Sequence, residues 1–174
     1  ADVSVTEPPG AHTPPRAGDA YAGVAGVAAI EPLQHRLAYV GPDLQDLFGI
    51  RPQSIRRVAP LSDSFVPGST IDAALRALAA TPDGVLLSGE TLKDYQLRPG
   101  DTIRLRLQAG SGGAYRVIGF HVVGQVHEFP SAPKDSFIVG NADYIARSTG
   151  SDAVGAFLIR SDTPAATAAA LRRF

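Results

Sequence analysis

Polar and apolar residues alternate most regularly over residues 102–108, where Ile103, Leu105 and Leu107 fall on one side and Thr102, Arg104, Arg106 and Gln108 on the other. That period of two predicts a strand with one buried and one wet face. The strand is entered through Leu97-Arg98-Pro99-Gly100-Asp101. Pro99 presets φ for the second position of a turn and Gly100 accepts positive φ at the third, so Arg98 to Asp101 reads as a type II turn. Before it, Ser88 at the cap and Glu90 in the first turn predict a short helix over 90–95. After a glycine-rich connection at 109–113, residues 115–126 run apolar on both faces, which predicts a central strand bent at Gly119 and Gly124.

The same reading extends outward. Residues 85–87 predict a short buried strand. Ser69-Thr70-Ile71-Asp72 is a variant capping box with Ser69 at the cap, followed by Ile71, Leu75 and Leu78 at helical spacing, and this helix stops at residues 81–84. Residues 1–6 alternate as a short first strand that the Pro-rich stretch to Pro15 ends, and a brief helix is expected near 16–23. Residues 27–40 read as extended, and Pro32, lacking an N–H, marks an edge or bulged strand. Gly41-Pro42-Asp43 breaks the chain, with one helical turn expected over 44–48. Residues 137–139 and 153–160 predict strands, 142–147 a helix, and Pro164 starts an alanine-rich helix whose carbonyl end carries Arg172 and Arg173. The order implies an α+β fold in which pieces from both chain ends bracket a β-rich insert. Residues 2–6 should then lie beside 153–160 in one sheet.

Composition narrows the function. The 174 residues fit one domain or two small intertwined ones. Without cysteine there is no thiolate nucleophile or Cys-ligated metal, which suits an extracytoplasmic site. Net charge is −1 with both signs interspersed, so the basic field that nucleic acid binding needs is missing. The longest uncharged apolar run, residues 20–30, is about half of what a bilayer span requires. Neither an initiator Met nor a signal peptide stands at the start, which suggests a processed or excised segment.

Candidate chemistry is sparse. His121 and His127, six residues apart in one extended segment, would stand roughly 20 Å apart on a straight strand and could not share an ion; Glu128 adds one donor where three or four are needed. His35 and His12 have no patterned partner. Ser88 sits at a strand-to-helix step, as a nucleophile would, but Leu86 stands where the G-x-S-x-G turn uses glycine, so helix capping accounts for it. Gly110-Ser111-Gly112-Gly113 lacks the Lys-Ser or Lys-Thr of a phosphate loop and reads as a hairpin connection. Arg104 and Arg106 on one strand face could grip an anionic partner, although solvated charges are the commoner case. No catalytic, metal or cofactor-binding residue is assigned, no nucleotide or transition-metal binding is expected, and the binding residues stay open. A secreted serine hydrolase using Ser88 with His121 or His127 is the enzymatic alternative, and a stand-alone ligand-binding domain a third.

The short polar helix, the turn Leu97-Arg98-Pro99-Gly100-Asp101, the alternating strand and then Tyr115-Arg116-Val117-Ile118-Gly119-Phe120 leading to Phe129-Pro130 together resemble the extracytoplasmic domain of FtsX-like ABC transporter permeases, the MacB-like periplasmic core. The resemblance implies a porter-like α/β subdomain from residues 1–41 plus 150–174 and an inserted β-rich subdomain from 42–149. It implies a non-enzymatic module on the extracytoplasmic side of the cell membrane, anchored by flanking membrane helices, with a further strand after Phe174. The implied partners are a cytosolic ATPase subunit and an extracytoplasmic protein, lipoprotein or lipid.

Overall fold

A computed structural model describes residues 1–8, 12–110 and 113–174. Its strands are β1 (Val3–Thr6), β2 (Val27–Val40), β3 (Asp43–Ile50), β4 (Gly84–Ser88), β5 (Thr102–Gln108), β6 (Tyr115–Val126), β7 (Phe137–Asn141) and β8 (Ala156–Ser161). The helices are α1 (Asp19–Ala22), α2 (Ile71–Ala80), α3 (Gly89–Asp94), α4 (Ala142–Thr149) and α5 (Pro164–Arg172). The strands form one sheet in the order β1-β8-β2-β3-β7-β4-β6-β5, and a further pairing of β5 with β2 closes part of it. The fold is α+β, as the sequence predicts.

Closure follows from the length of β2. Its first half pairs with β8, Leu33 opposite Ala156, while its second half pairs with β3, Gln34 to Val40 against Gly49 to Asp43. Ala38 and Tyr39 also meet Leu107 and Arg106 of β5. The strands β2, β3, β7, β4, β6 and β5 thus return on themselves as a ring, with β1 and β8 extending from β2. Inward residues of all six converge in one cluster that includes Ala38, Leu47, Leu87, Leu105, Phe120 and Ile138, with Ile145 of α4 packed against it. A small ring of this kind is filled by its own side chains. A second cluster lies outside it, where Ile71, Leu75 and Leu78 of α2 pack with Leu86, Phe137 and Val139.

β1 lies antiparallel to β8, Val3 opposite Ile159, as expected for residues 2–6 beside 153–160. The turn before β5 has the expected form: Gly100 has φ +98° and Asp101 N–H donates to Arg98 O at 3.0 Å. The exposed and buried positions of β5 alternate as the sequence pattern requires.

Three expectations are corrected and one open alternative is decided. Residues 44–48 are strand rather than a helical turn. Gly41, at φ +56°, turns the chain so that β3 folds back on β2, and the pairing and burial of Leu47 and Phe48 outweigh local propensity. Residues 27–40 take the bulged form of the two expected: an irregularity falls between Val27 and Ala29, and Pro32 lies in the half whose pairing is with β8 alone, while Ala38 and Tyr39 pair on both sides. The first half of β6 is wet on one face, Tyr115, Val117, Gly119 and His121 being exposed, because among the described residues no helix covers that side of the ring. The cap of α2 is Thr70, whose hydroxyl accepts from Ala73 N–H at 3.1 Å, while Ile71 N–H donates to Asp63 Oδ1 at 2.8 Å and Asp72 turns away to Arg56.

Candidate functional site

The histidines are dispersed. His121 on β6 has Nδ1 2.7 Å from Asp83 Oδ2, and its backbone N–H donates to Asp83 O at 2.8 Å, so the pair ties β6 to the start of β4. His35 on β2 stacks on Phe48, centroids 4.7 Å apart, and has Nε2 2.6 Å from Asp46 Oδ1. His127 follows β6 and donates its backbone N–H to Phe65 O at 2.6 Å. Among the described residues no group of three or more His, Asp or Glu side chains is arranged to hold a metal ion. His12 lines a cleft of about 590 Å³ with His35, Leu37, Tyr115 and Gly155.

Ser88 caps α3. Its Oγ lies 3.4 Å from Thr91 N–H and 3.0 Å from Thr91 Oγ1, which is itself 3.0 Å from Gln45 Nε2. Ser88, Thr91 and Gln45 are all buried, forming a polar cluster with no base among its partners in the described residues. A serine nucleophile needs a base within hydrogen-bond reach, whereas the bonds Ser88 makes here are those of a helix cap. In the glycine-rich connection Ser111 and Gly112 lie outside the described residues; its two ends join antiparallel β5 and β6.

Arg104 and Arg106 point from β5 to the outside of the ring, and sequence reasoning missed what surrounds them. Register sets Tyr39 opposite both Leu44 of β3 and Arg106 of β5, and Arg106 opposite Val117 of β6. The Arg106 guanidinium lies 4.6 Å above the Tyr39 ring, and Tyr115 meets Tyr39 edge-on at 5.5 Å. Leu37 at 51 %, Leu44 at 48 %, Tyr115 at 50 % and Val117 at 59 % are the large exposed apolar residues of this wall, with Phe174 elsewhere the remaining one among the described residues. The only sequence signal was the spacing of Arg104 and Arg106, because Tyr39 and Tyr115 reach them through long-range pairing.

Two buried or clamped groups behave as framework. Burial holds the Arg36 guanidinium below its ordinary pKa, with Asp152 opposing the shift; Arg36 Nη2 donates to Ser151 O, and its Nε has no partner among the described residues. Tyr95 lies 2.7 Å from both Asp43 Oδ2 and Val40 O, and chiefly its hydrogen bond to Asp43 pushes the phenol up to about 12.

No protein-family model matches the sequence, and no curated protein matches it. Solved structures do. The extracellular domain of the noncanonic ABC-type transporter YknZ from Gram-positive bacteria superposes with a TM-score of 0.51 at 15 % identity, covering 94 % of this chain and 78 % of that one. The periplasmic region of MacB from Actinobacillus actinomycetemcomitans gives a TM-score of 0.49 at 12 % identity, covering 90 % and 71 %. Among the described residues no helix is long and apolar enough to cross a membrane. The chain therefore has the fold of the extracellular domain of the ABC-type transporter YknZ.

Proposed function

We propose that the chain is a non-enzymatic extracytoplasmic domain of an FtsX-like ABC transporter permease, coupling ATP hydrolysis by a cytosolic ATPase subunit to export or signalling outside the membrane. The fold likeness to the YknZ extracellular domain over 94 % of the chain carries this reading. Two features support it further: Ser88 is engaged as a helix cap, and the uncovered ring wall suits contact with another molecule. The division into residues 1–41 plus 150–174 and 42–149 belongs to the proposal, with β2 in the first part and its second half paired to β3 of the other.

This chain has no cysteine, which allows a direct test once any cysteine elsewhere in the protein that carries it is replaced. A single cysteine replacing exposed Gln53, between β3 and α2, in the protein that carries this chain should react with a membrane-impermeant maleimide in intact cells. Labelling only after permeabilisation would place the domain on the other side and defeat the reading. ATP turnover by the reconstituted transporter should change when an antibody fragment clamps the domain, and unchanged turnover would refute coupling. Ser88→Ala should leave turnover intact and cost about 1 kcal/mol of cap stability.

A further inference from the structure

We propose that the outer wall of the ring formed by β3, β2, β5 and β6 is a docking surface for an acidic segment of an extracytoplasmic protein, recognised through Arg104, Arg106, Tyr39 and Tyr115. The inference rests on the transporter reading for where the partner resides and on the surface itself for its chemistry. Four exposed large apolar side chains gather on this wall, whereas the opposite wall is covered by α2. Clustering of this kind marks interaction sites, and Tyr and Arg are the residue types that dominate binding energy in them.

Charge selects the partner. Neither Arg104 nor Arg106 has a carboxylate partner among the described residues, and acids on or beside these strands are engaged elsewhere, Asp46 with His35, Asp43 with Tyr95 and Asp83 with His121. Stacking on Tyr39 orients Arg106 while leaving its N–H edge able to donate to a carboxylate. Two strand positions apart, the two guanidinium stems are roughly 7 Å apart, a spacing that carboxylates at alternate positions of an extended segment match. Beside them Leu37 and Tyr115 line the cleft of about 590 Å³, which offers a seat for an apolar side chain of the same segment.

The two other occupants fit less well. A second copy in an isologous contact would set the arginines of one wall against those of the other. The wall also spans only about four strands, roughly 300 Å², against about 800 Å² per partner in a stable dimer. Anionic lipid recognition uses clusters of about four or more basic side chains, twice the number present.

The probe is a random copolymer of glutamate and tyrosine, with polyglutamate and a lysine–tyrosine copolymer as comparisons and phosphatidylcholine–phosphatidylglycerol vesicles as the lipid arm. With isotope-labelled chain, amide shifts should move in β2, β5 and β6 on adding the glutamate–tyrosine copolymer, more weakly with polyglutamate and not with the lysine copolymer. Added salt should weaken the effect. Arg104→Glu with Arg106→Glu should reduce affinity at least about tenfold, and Tyr115→Ser should reduce it while keeping the charge response. Circular dichroism melts establish that the variants are folded. Shifts elsewhere, equal binding of the lysine copolymer, or affinity unchanged by charge reversal would overturn the proposal. So would vesicle binding through the same residues, or self-association that the same variants abolish. Topology labelling at Gln53 is independent of this wall, so failure here leaves the transporter reading to its own test.

Discussion

Replacing Phe120 by alanine tests whether the ring is a packed core. Phe120 is fully buried, lies on the inward face of β6, and meets Tyr144 of α4 edge-on with centroids 5.2 Å apart. Truncating a buried Phe removes its transfer energy and leaves a cavity, about 3–5 kcal/mol together. Loss of the aromatic pair accounts for roughly 0.5–1.5 kcal/mol of such a change, and the ring strands cannot collapse inward without breaking ladder hydrogen bonds. A loss of about 4 kcal/mol is therefore expected, a large share of the roughly 5–15 kcal/mol that a domain has. At about 2–4 °C per kcal/mol for this length the melting temperature should fall by roughly 8–16 °C.

Val117, three residues earlier on the same strand, provides the contrast. At 59 % exposure on the opposite face, Val117→Ala should cost less than about 1 kcal/mol. Urea unfolding followed by circular dichroism measures both, with the midpoint rather than the slope expected to move. Because a slip of one residue exchanges the two faces of a strand, a costly Val117→Ala beside a cheap Phe120→Ala would refute the register. A cost for Phe120→Ala below about 1.5 kcal/mol would refute a filled ring interior.

Three further outcomes are expected. Thr70→Ala should cost about 1 kcal/mol in urea unfolding while Ser69→Ala costs a few tenths, since Thr70 holds the Ala73 N–H; equal costs would reject Thr70 as the cap. Gly155→Ala should destabilise by about 1–3 kcal/mol, because its Cβ would lie 2.5 Å from His35 Cβ and 3.2 Å from the His35 backbone nitrogen, and a neutral result in thermal melts would mean the segment is placed wrongly. The Tyr95 phenol, raised to about 12 from an ordinary value near 10, contributes stability that is complete below about pH 10 and is lost as pH rises through about 12. Carbon-labelled tyrosine NMR should show Tyr95 titrating late, and Asp43→Asn should bring it back; titration near pH 10 in the unchanged chain would refute the Asp43 contact.

What the sequence made legible was whatever depends on neighbours along the chain. The alternation of 102–108, the Pro99-Gly100 turn and the Ser88 cap each follow from a few adjacent residues, and each is found. Residues 44–48 were misread because Leu44, Leu47 and Phe48 also fit one helical turn. What decides for strand is the ladder to β2 across Gly41, which local propensity does not encode. The wet face of β5 was legible, but Tyr39 and Arg106 are 67 positions apart and become neighbours only when the ring closes. Single arginines could therefore be noticed while the wall they belong to could not.

That closure also bears on how the domain can transmit force. β2 runs without interruption from Val27 to Val40, so one strand belongs to the β1–β8 extension and to the ring at once. A flexible linker would let the two parts rotate freely. Here relative rotation must bend β2 or break the pairing of its halves with β8, β3 and β5. Pro32, lacking an N–H, and the irregularity between Val27 and Ala29 are the weaker points of that ladder, and both lie in the half that faces β8. The half that carries Leu37 and Tyr39 is paired with β3 throughout and, at Ala38 and Tyr39, with β5 on the other side. A displacement imposed on β1 and β8 should thus reach the proposed docking wall as movement of a stiff body, with bending confined to residues 27–32. Such stiffness is what the proposed coupling of a cytosolic ATPase to an external partner would require of this domain.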